Sequence, residues 1–311
     1  MRTEQRTHGA AGQLVKVNGF RMHLRAIGEG VPAVVMEASI GDFSLTWSLV
    51  DSKVGSFTRA VTYDRAGLGW SEVSPAARTG EVMVEELRQL LAAADIPGPF
   101  VLVGQSFSGL LVRLFAYKHP SDVAGIVLLD PAHEDQFLRF PEPIREAFGP
   151  LRSAQIAHLQ QNAETIRVAG PAAAVPVVSA PPSFRPQAAA AYVAQSIADA
   201  TRVQTVIDEL SHLEDTQAQV RALGPVTLGE VPLTVISHGQ PQSVPGMPDG
   251  VNQAYEDVWQ QMQAEIAAMS ARGKRIMAHE SGHMIHHDQP DLVVGEVRDL
   301  VEAFRSRTVR H

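Results

Sequence analysis

A serine stands between an apolar strand and an apolar helix in the segment VLVGQSFSGLLVRLFA, residues 101–116. Val101 to Gly104 are apolar or small, which is typical of a buried strand, and apolar side chains then recur at helical spacing. Ser106 lies in the tight turn between the two elements. Such a turn lifts a hydroxyl out of the sheet edge, and the N–H groups that begin the next helix point to the same place. The pattern predicts a nucleophile; the competing interpretation is a serine that only caps the helix.

The positions that flank this serine must be small, because the turn brings the chain close to itself. Gly104 and Ser108 meet that requirement. The segment resembles the G-x-S-x-G nucleophile elbow of the α/β-hydrolase family, with Ser108 in place of the second glycine and Gly109 one residue later. The resemblance implies an α/β fold that carries a Ser-Asp-His catalytic triad.

Two other segments are similar to parts of that family, in the same chain order. YDRAGLGWS (63–71) resembles the loop that follows the family's fourth strand. Ser281-Gly282-His283, after the last predicted strand, resembles the family's Gly-His segment. The resemblance extends over about residues 14 to 305, apart from the middle of the chain, and implies that His283 is the histidine base.

Three other histidines lie close to His283, namely His279, His286 and His287. Two histidines three or four residues apart on a helix can share a metal ion, so a metal site is the competing interpretation. Pro290 predicts that the helix begins only after this cluster, which would remove the helical spacing. We therefore expect no metal ion and no other cofactor, and we expect His286 and His287 to be exposed in a loop.

The resemblance also implies an oxyanion hole made of two backbone N–H groups. One belongs to Phe107, directly after the nucleophile. The other belongs to the loop after the third strand, EASIGDFSLTW (37–47), which lacks the His-Gly pair that related enzymes often carry there. Counting back from Trp47 places Ile40 at the donor position, with Ser39 as the alternative.

The family has two locations for the acid, the end of the strand after the elbow helix and the loop after the next-to-last strand. The first location holds Asp130, at the end of the apolar run GIVLLD. In the second, LTVIS is followed by His238 and by no carboxylate until Asp249. We therefore assign the acid to Asp130, with Asp249 as the alternative and Glu134 and Asp135 behind it. The competing interpretation is that Asp130 only caps the chain's entry into the next segment.

This constellation predicts a serine hydrolase that cleaves carboxylic esters of small molecules through an acyl-enzyme intermediate. An aspartate at the elbow would have indicated a dehalogenase or an epoxide hydrolase, whereas Ser106 indicates acyl transfer. Two alternatives stay open: a lactonase, amidase or C–C bond hydrolase that uses the same triad, and a non-catalytic binding protein that keeps the fold.

The elements that must position these residues follow from hydrophobic periodicity. A hairpin is predicted at Asn18-Gly19, and strands then alternate with amphipathic helices, which is typical of a mostly parallel sheet with helices on both faces. We expect about eight strands in this sheet, the last at 274–278, and a closing helix from Pro290.

Residues 133–229 interrupt the alternation with helical patches and an Ala/Pro-rich stretch. They carry too many aromatic side chains to remain in water, so we predict a mostly helical cap with a flexible Pro-rich portion. The cap separates two parts of the core domain, 14–132 and 230–311, and residues 1–13 form an N-terminal tail. The aromatic content favours bulky, apolar substrates. The aromatic residues concerned are Phe137, Phe140, Phe148, Phe184 and Tyr192.

The composition argues against nucleic acid and membranes as partners. The 311 residues carry a net charge of −8 without a basic run, which argues against nucleic acid or an anionic membrane surface as a partner. No apolar segment approaches the roughly 20 residues of a membrane helix, and the N-terminus lacks the apolar stretch of a signal peptide. The absence of cysteine excludes disulfides and thiolate metal sites. We expect a soluble, cytoplasmic protein whose partner is a small-molecule ester.

Overall fold

The computed structural model describes residues 11–224 and 227–308 and contains an eight-stranded sheet. The strands are β1 (Gln13–Val17), β2 (Phe20–Ile27), β3 (Ala33–Glu37), β4 (Ala60–Tyr63), β5 (Phe100–Gln105), β6 (Val123–Leu129), β7 (Leu233–His238) and β8 (Gly273–Ala278). Their order across the sheet is β1-β2-β4-β3-β5-β6-β7-β8. Only the pairs β1–β2 and β2–β4 are antiparallel, so the sheet is mostly parallel, as predicted.

Helices follow most of the strands. Those of the described residues are α1 (Asp51–Gly55), α2 (Gly80–Ala93), α3 (Ser108–Lys118), α4 (Gln136–Arg139), α5 (Glu142–Ala169), α6 (Pro186–Ser196), α7 (Ala200–Ser211), α8 (Leu213–Ala222), α9 (Asp249–Ala267), α10 (Ile285–Asp288) and α11 (Pro290–Thr308). Short 3-10 helices lie at Ser44–Trp47, Pro120–Asp122 and Pro171–Ala173. No helix within residues 11–224 and 227–308 has the length and apolar character that crossing a membrane requires.

Helices cover both faces of the sheet. Alternate side chains of each central strand point to opposite faces and pack against these helices. Leu102 of β5 joins the apolar cluster that contains residues of α2, α3 and α9. Its neighbours Val101 and Val103 join the cluster that contains residues of α1 and α11. The strands therefore read as continuous apolar runs, which is usual for a parallel sheet buried on both faces.

The chain between β6 and β7 contains the helices α4 to α8. Side chains of α5, α6 and α7 form a further apolar cluster with Phe43 and Leu68 of the sheet-edge loops. This is the segment for which the sequence predicts a helical cap, and the domain limits at residues 133 and 229 stay a prediction. Of the predicted N-terminal tail, residues 1–10 lie outside the described part of the chain, and Gln13 already begins β1.

The end of the chain differs in one respect from the sequence prediction. Helix α11 begins at Pro290 as expected, but the four-residue helix α10 precedes it. The prediction that no helix begins before Pro290 is therefore wrong, and this local turn changes where the neighbouring histidines lie.

Candidate active site

Ser106 occupies the turn between β5 and α3 with φ of 54°, in the left-handed region that favours glycine. Its backbone is held from the neighbouring strand: its N–H donates to the carbonyl of Leu129 at 3.0 Å, and its carbonyl accepts from the N–H of Ala132 at 2.9 Å. A strained residue that is fixed on both sides in this way is typical of a functional site.

The small residues around the elbow have separate roles. A Cβ on Gly104 would lie 2.9 Å from Cγ2 of Val112, and one on Gly109 would lie 2.5 Å from Cβ of Pro131, so neither position has room for a side chain. Ser108 is buried, and its hydroxyl donates to the Glu37 carbonyl at 2.9 Å. The serine that replaces the expected second glycine thus links the ends of β3 and β5, and Gly109 lies where space is needed.

His283 and Asp130 are in direct contact. His283 lies in the loop after β8 and is 30% exposed, whereas Asp130, at the end of β6, is fully buried. Nδ1 of the imidazole lies 2.5 Å from Oδ2 of the carboxylate. That hydrogen bond leaves Nε2 free of any partner among the described residues. The Ser106 hydroxyl likewise has none there, and catalytic contacts of this kind often form only when substrate binds.

The other carboxylates considered from the sequence do not contact His283. Asp249 is exposed at the start of α9. Glu134 pairs with Arg113 at 2.7 Å, and Asp135 pairs with Arg221 at 2.8 Å. Of the four candidates, the structure brings only Asp130 to the histidine.

Asp130 accepts hydrogen bonds from several groups besides His283. Nδ1 of His238 lies 2.7 Å from its Oδ2, and Nε1 of Trp259 lies 2.9 Å from its Oδ1. Burial alone would raise the pKa of Asp130, but the hydrogen bonds from His238 and His283 outweigh burial and hold this pKa well below its usual range. Asp130 is therefore a carboxylate, the form that can accept from His283.

The backbone N–H groups of Phe107 and Ile40 donate to no acceptor among the described residues, so both are available to donate to an oxyanion. The N–H of Ser39 has no acceptor there either, so this observation alone does not choose between Ile40 and Ser39. The loop that carries both residues is held on either side. The Ser39 carbonyl accepts from Arg65 at 2.6 Å, and the Gly41 N–H donates to Glu209 at 2.7 Å.

Arg65 joins this loop to the inserted helices through a buried network. Its guanidinium lies 2.7 Å from Glu37 at the end of β3 and 2.7 Å from Glu209 of α7. It also donates to the Ala38 carbonyl at 2.6 Å. Burial alone would lower the pKa of Arg65, but Glu209 and Glu37 raise it, so the guanidinium stays charged. The segment YDRAGLGWS resembles the family, but no local pattern in it predicts this role for its arginine.

His286 and His287 are buried, and the expectation that they are exposed is wrong. Helix α10 turns both rings inward, where their Nε2 atoms lie 3.0 and 3.1 Å from the Thr46 hydroxyl. The His286 ring also packs on Trp47, with centroids 4.6 Å apart. Burial lowers the pKa of both histidines, which keeps them neutral. They connect the loop of His283 to Thr46 and Trp47, at the end of the segment 37–47 that carries the predicted oxyanion N–H.

The chain is similar in sequence to a known protein family and to a known bacterial protein. The sequence model of the alpha/beta hydrolase family matches residues 34–296. The uncharacterized protein YqjL of Bacillus subtilis is 28% identical over 269 residues, which cover 86% of this chain and 82% of that protein.

Two solved structures are similar in fold. A thermophilic esterase from Thermogutta terrifontis superposes with a TM-score of 0.65 at 17% identity, over 95% of this chain and 99% of its own. A putative epoxide hydrolase from Pseudomonas aeruginosa superposes with a TM-score of 0.71 at 16% identity, over 96% of this chain and 97% of its own. At such identities, the likeness shows the fold alone.

Proposed function

This chain belongs to the alpha/beta hydrolase family, and from that premise we propose that it is a serine hydrolase that cleaves carboxylic esters through an acyl-enzyme intermediate. The observation that carries the proposal is the 2.5 Å contact between Nδ1 of His283 and Oδ2 of Asp130, at the sheet edge where the elbow presents Ser106. A carboxylate on Nδ1 fixes the tautomer in which Nε2 can accept a proton.

The proposed reaction has two stages. Nε2 of His283 takes the proton of the Ser106 hydroxyl as Oγ attacks the ester carbonyl carbon, and the oxyanion is held by the N–H groups of Phe107 and Ile40. The C–O bond to the alcohol breaks, and the alcohol leaves with that proton. Water then attacks the acyl-enzyme and gives its proton to His283, and the acid leaves as Ser106 regains its hydrogen.

The residue at the elbow supports acyl transfer over epoxide opening. The structural neighbours include both an esterase and an epoxide hydrolase, so fold does not separate the two reactions. A dehalogenase or epoxide hydrolase of this fold uses an aspartate where this chain has Ser106. A serine oxygen activated by a histidine is suited to attack on a carbonyl carbon.

The surroundings of His283 support an apolar, bulky substrate. The Trp259 ring lies edge-on to the His283 ring, with centroids 6.0 Å apart. Phe140 stacks on Trp259 at 6.2 Å and on Phe148 at 5.7 Å, so a mostly buried aromatic cluster continues from α9 into α5. Aromatic walls with a few polar groups are usual in small-molecule sites.

Hydrolysis of a lactone, an amide or a C–C bond uses the same triad and is the alternative to ester cleavage. A non-catalytic binding protein is disfavoured because the Asp130–His283 pair is intact.

A panel of p-nitrophenyl esters of graded acyl length, beside lactones, amides and a styrene-type epoxide, separates these functions when wild type and Ser106→Ala are compared. We expect ester turnover that increases from acetate to longer or aromatic acyl groups and vanishes in Ser106→Ala. Turnover of the epoxide alone, or esterase activity retained by Ser106→Ala, would contradict the proposal.

A further inference from the structure

His238 lies between two carboxylates at the end of β7. Its Nδ1 is 2.7 Å from Oδ2 of Asp130, and its Nε2 is 2.9 Å from Oε1 of Glu256 on α9. A neutral imidazole has one N–H and can donate to one acceptor only. Because each ring nitrogen faces an ionised oxygen, both must carry hydrogen, and the ring is an imidazolium. His238 is 1% exposed, so this charge is held inside the protein.

Charged groups of several neighbouring elements face His238. Asp130 of β6 and Glu256 of α9 supply the two negative charges, and His283 shares Oδ2 of Asp130. Arg275 of β8 adds a positive charge nearby and bonds the Ser237 hydroxyl at 2.9 Å.

Three further groups of α9 and of the loop after β7 face this site without adding charge. Burial and the carboxylates raise the pKa of Tyr255 well above its usual value, so this phenol is neutral. Gln242 and Gln260 contribute only amides. Burial alone would lower the pKa of His238, but the hydrogen bonds with Asp130 and Glu256 raise it to about 9.

We propose that His238 is a positioning residue. Its fixed positive charge acts on the carboxylate of Asp130 and thereby sets the basicity of His283. This inference rests on the proposed function, in which His283 is the base. The same oxygen, Oδ2 of Asp130, accepts from both imidazole rings, so the charge of His238 competes with His283 for the negative charge of that carboxylate. Protonation of His283 becomes less favourable, and the base stays available at lower pH.

The position of His238 in the fold fits this role. It is the last residue of β7, the next-to-last strand, and so lies at the second of the two locations that the resemblance offers for the triad acid. The acid occupies the first location, as Asp130, and the second location holds a cation that touches the acid directly. A merely structural hydrogen bond to Asp130 could come from a neutral amide, whereas the electrostatic effect needs the charge.

The substitution His238→Asn keeps a donor beside Asp130 and removes the charge. The acidic midpoint of kcat/KM for a p-nitrophenyl ester should then move to higher pH by roughly two units, the size expected for a unit charge about 5 Å away at an effective dielectric constant of about 20. The matched control His158→Asn changes an exposed histidine of α5 and should leave the midpoint unchanged.

The decisive measurement is NMR of histidine labelled with ¹⁵N and ¹³C in the full chain, because it reads protonation without turnover. In wild type we expect both ring nitrogens of His238 to carry hydrogen at about pH 7.5, where an ordinary histidine is mostly neutral. In His238→Asn the titration of His283 should move to higher pH, in step with kcat/KM. A second variant, Glu256→Gln, removes one carboxylate and should move the titration of His238 itself to lower pH.

A neutral His238 in wild type, or a His283 titration that stays in place in His238→Asn, would overturn the inference. If His238→Asn fails to fold, an unmoved His238 titration in Glu256→Gln has the same consequence. Failure of the proposed function is a separate result, since the titrations could behave as expected in a protein that cleaves no ester.

Discussion

Glu209 of α7 accepts two hydrogen bonds from Arg65, with Nε–Oε1 and Nη2–Oε2 distances of 2.7 and 2.9 Å. Both side chains are buried, and the second carboxylate oxygen of Glu209 also accepts from the N–H of Gly41. A helix of the inserted segment is thereby fastened to the loop that carries Ile40. Helix α7 therefore helps to hold the loop in which the oxyanion hole is predicted.

Glu209→Ala should destabilise the protein by about 3–5 kcal/mol, because it leaves the buried charge of Arg65 with one partner fewer. Urea denaturation measures this loss. The turnover of a p-nitrophenyl ester should also fall, since the Gly41 N–H loses its anchor. The matched control is Glu214→Ala, which breaks the solvent-exposed pair with Arg152 and should change stability little. Equal effects of the two substitutions would contradict the role of Glu209.

Acid should destabilise the fold through His286 and His287. Burial holds the pKa of each below its usual value, so the folded chain binds fewer protons than the unfolded chain. The free energy of unfolding should therefore fall as the pH drops below about 6.5, the value at which an unfolded histidine titrates. Urea unfolding between about pH 5 and 7, in wild type and in His286→Asn, tests this. The variant should show a smaller pH dependence, and an identical dependence would exclude His286 as its source.

Asp42 should make the free energy of unfolding fall as the pH rises, the opposite of the effect of His286 and His287. Burial raises its pKa to about 6, although the Tyr192 hydroxyl and the Phe43 N–H donate to it. Folding is thus favoured when this carboxyl is protonated, and that contribution is lost as the pH rises from about 4 to about 6. Asp42→Asn should gain roughly 2–3 kcal/mol relative to wild type between about pH 4 and pH 7, as linkage of a shift of this size requires. A constant difference over that range would show that Asp42 ionises normally.

Asp130→Asn should lower kcat by a factor on the order of 10³ to 10⁴, because an amide no longer fixes the tautomer of His283. Asp249→Asn, on the exposed first turn of α9, should leave kcat unchanged. Far-UV circular dichroism of both variants controls for loss of fold. If Asp249→Asn were inactive and Asp130→Asn active, the acid would have to come from the later location.

The sequence predicted that Asp130 and His283 lie at one sheet edge, because Asp130 directly follows the apolar strand β6 and His283 lies in the loop after β8. It did not reveal the Arg65–Glu209 pair, whose members are 144 residues apart and whose second member lies in a segment without a recognisable motif. No local pattern after LTVIS indicates that His238 contacts Asp130, because the two residues are 108 residues apart in the chain. The burial of His286 depends on Thr46, 240 residues away, and no local pattern around Pro290 indicates that contact.

The central claim is that Ser106 is a nucleophile activated by His283. Its most direct test is intact-mass and peptide mass spectrometry after treatment with a fluorophosphonate, which reacts with activated serines. We expect one covalent adduct, on Ser106, formed rapidly in wild type and at least about a hundredfold more slowly in His283→Gln, since loss of the general base removes activation of the nucleophile. An unmodified Ser106, or equal labelling rates in the two proteins, would contradict the account.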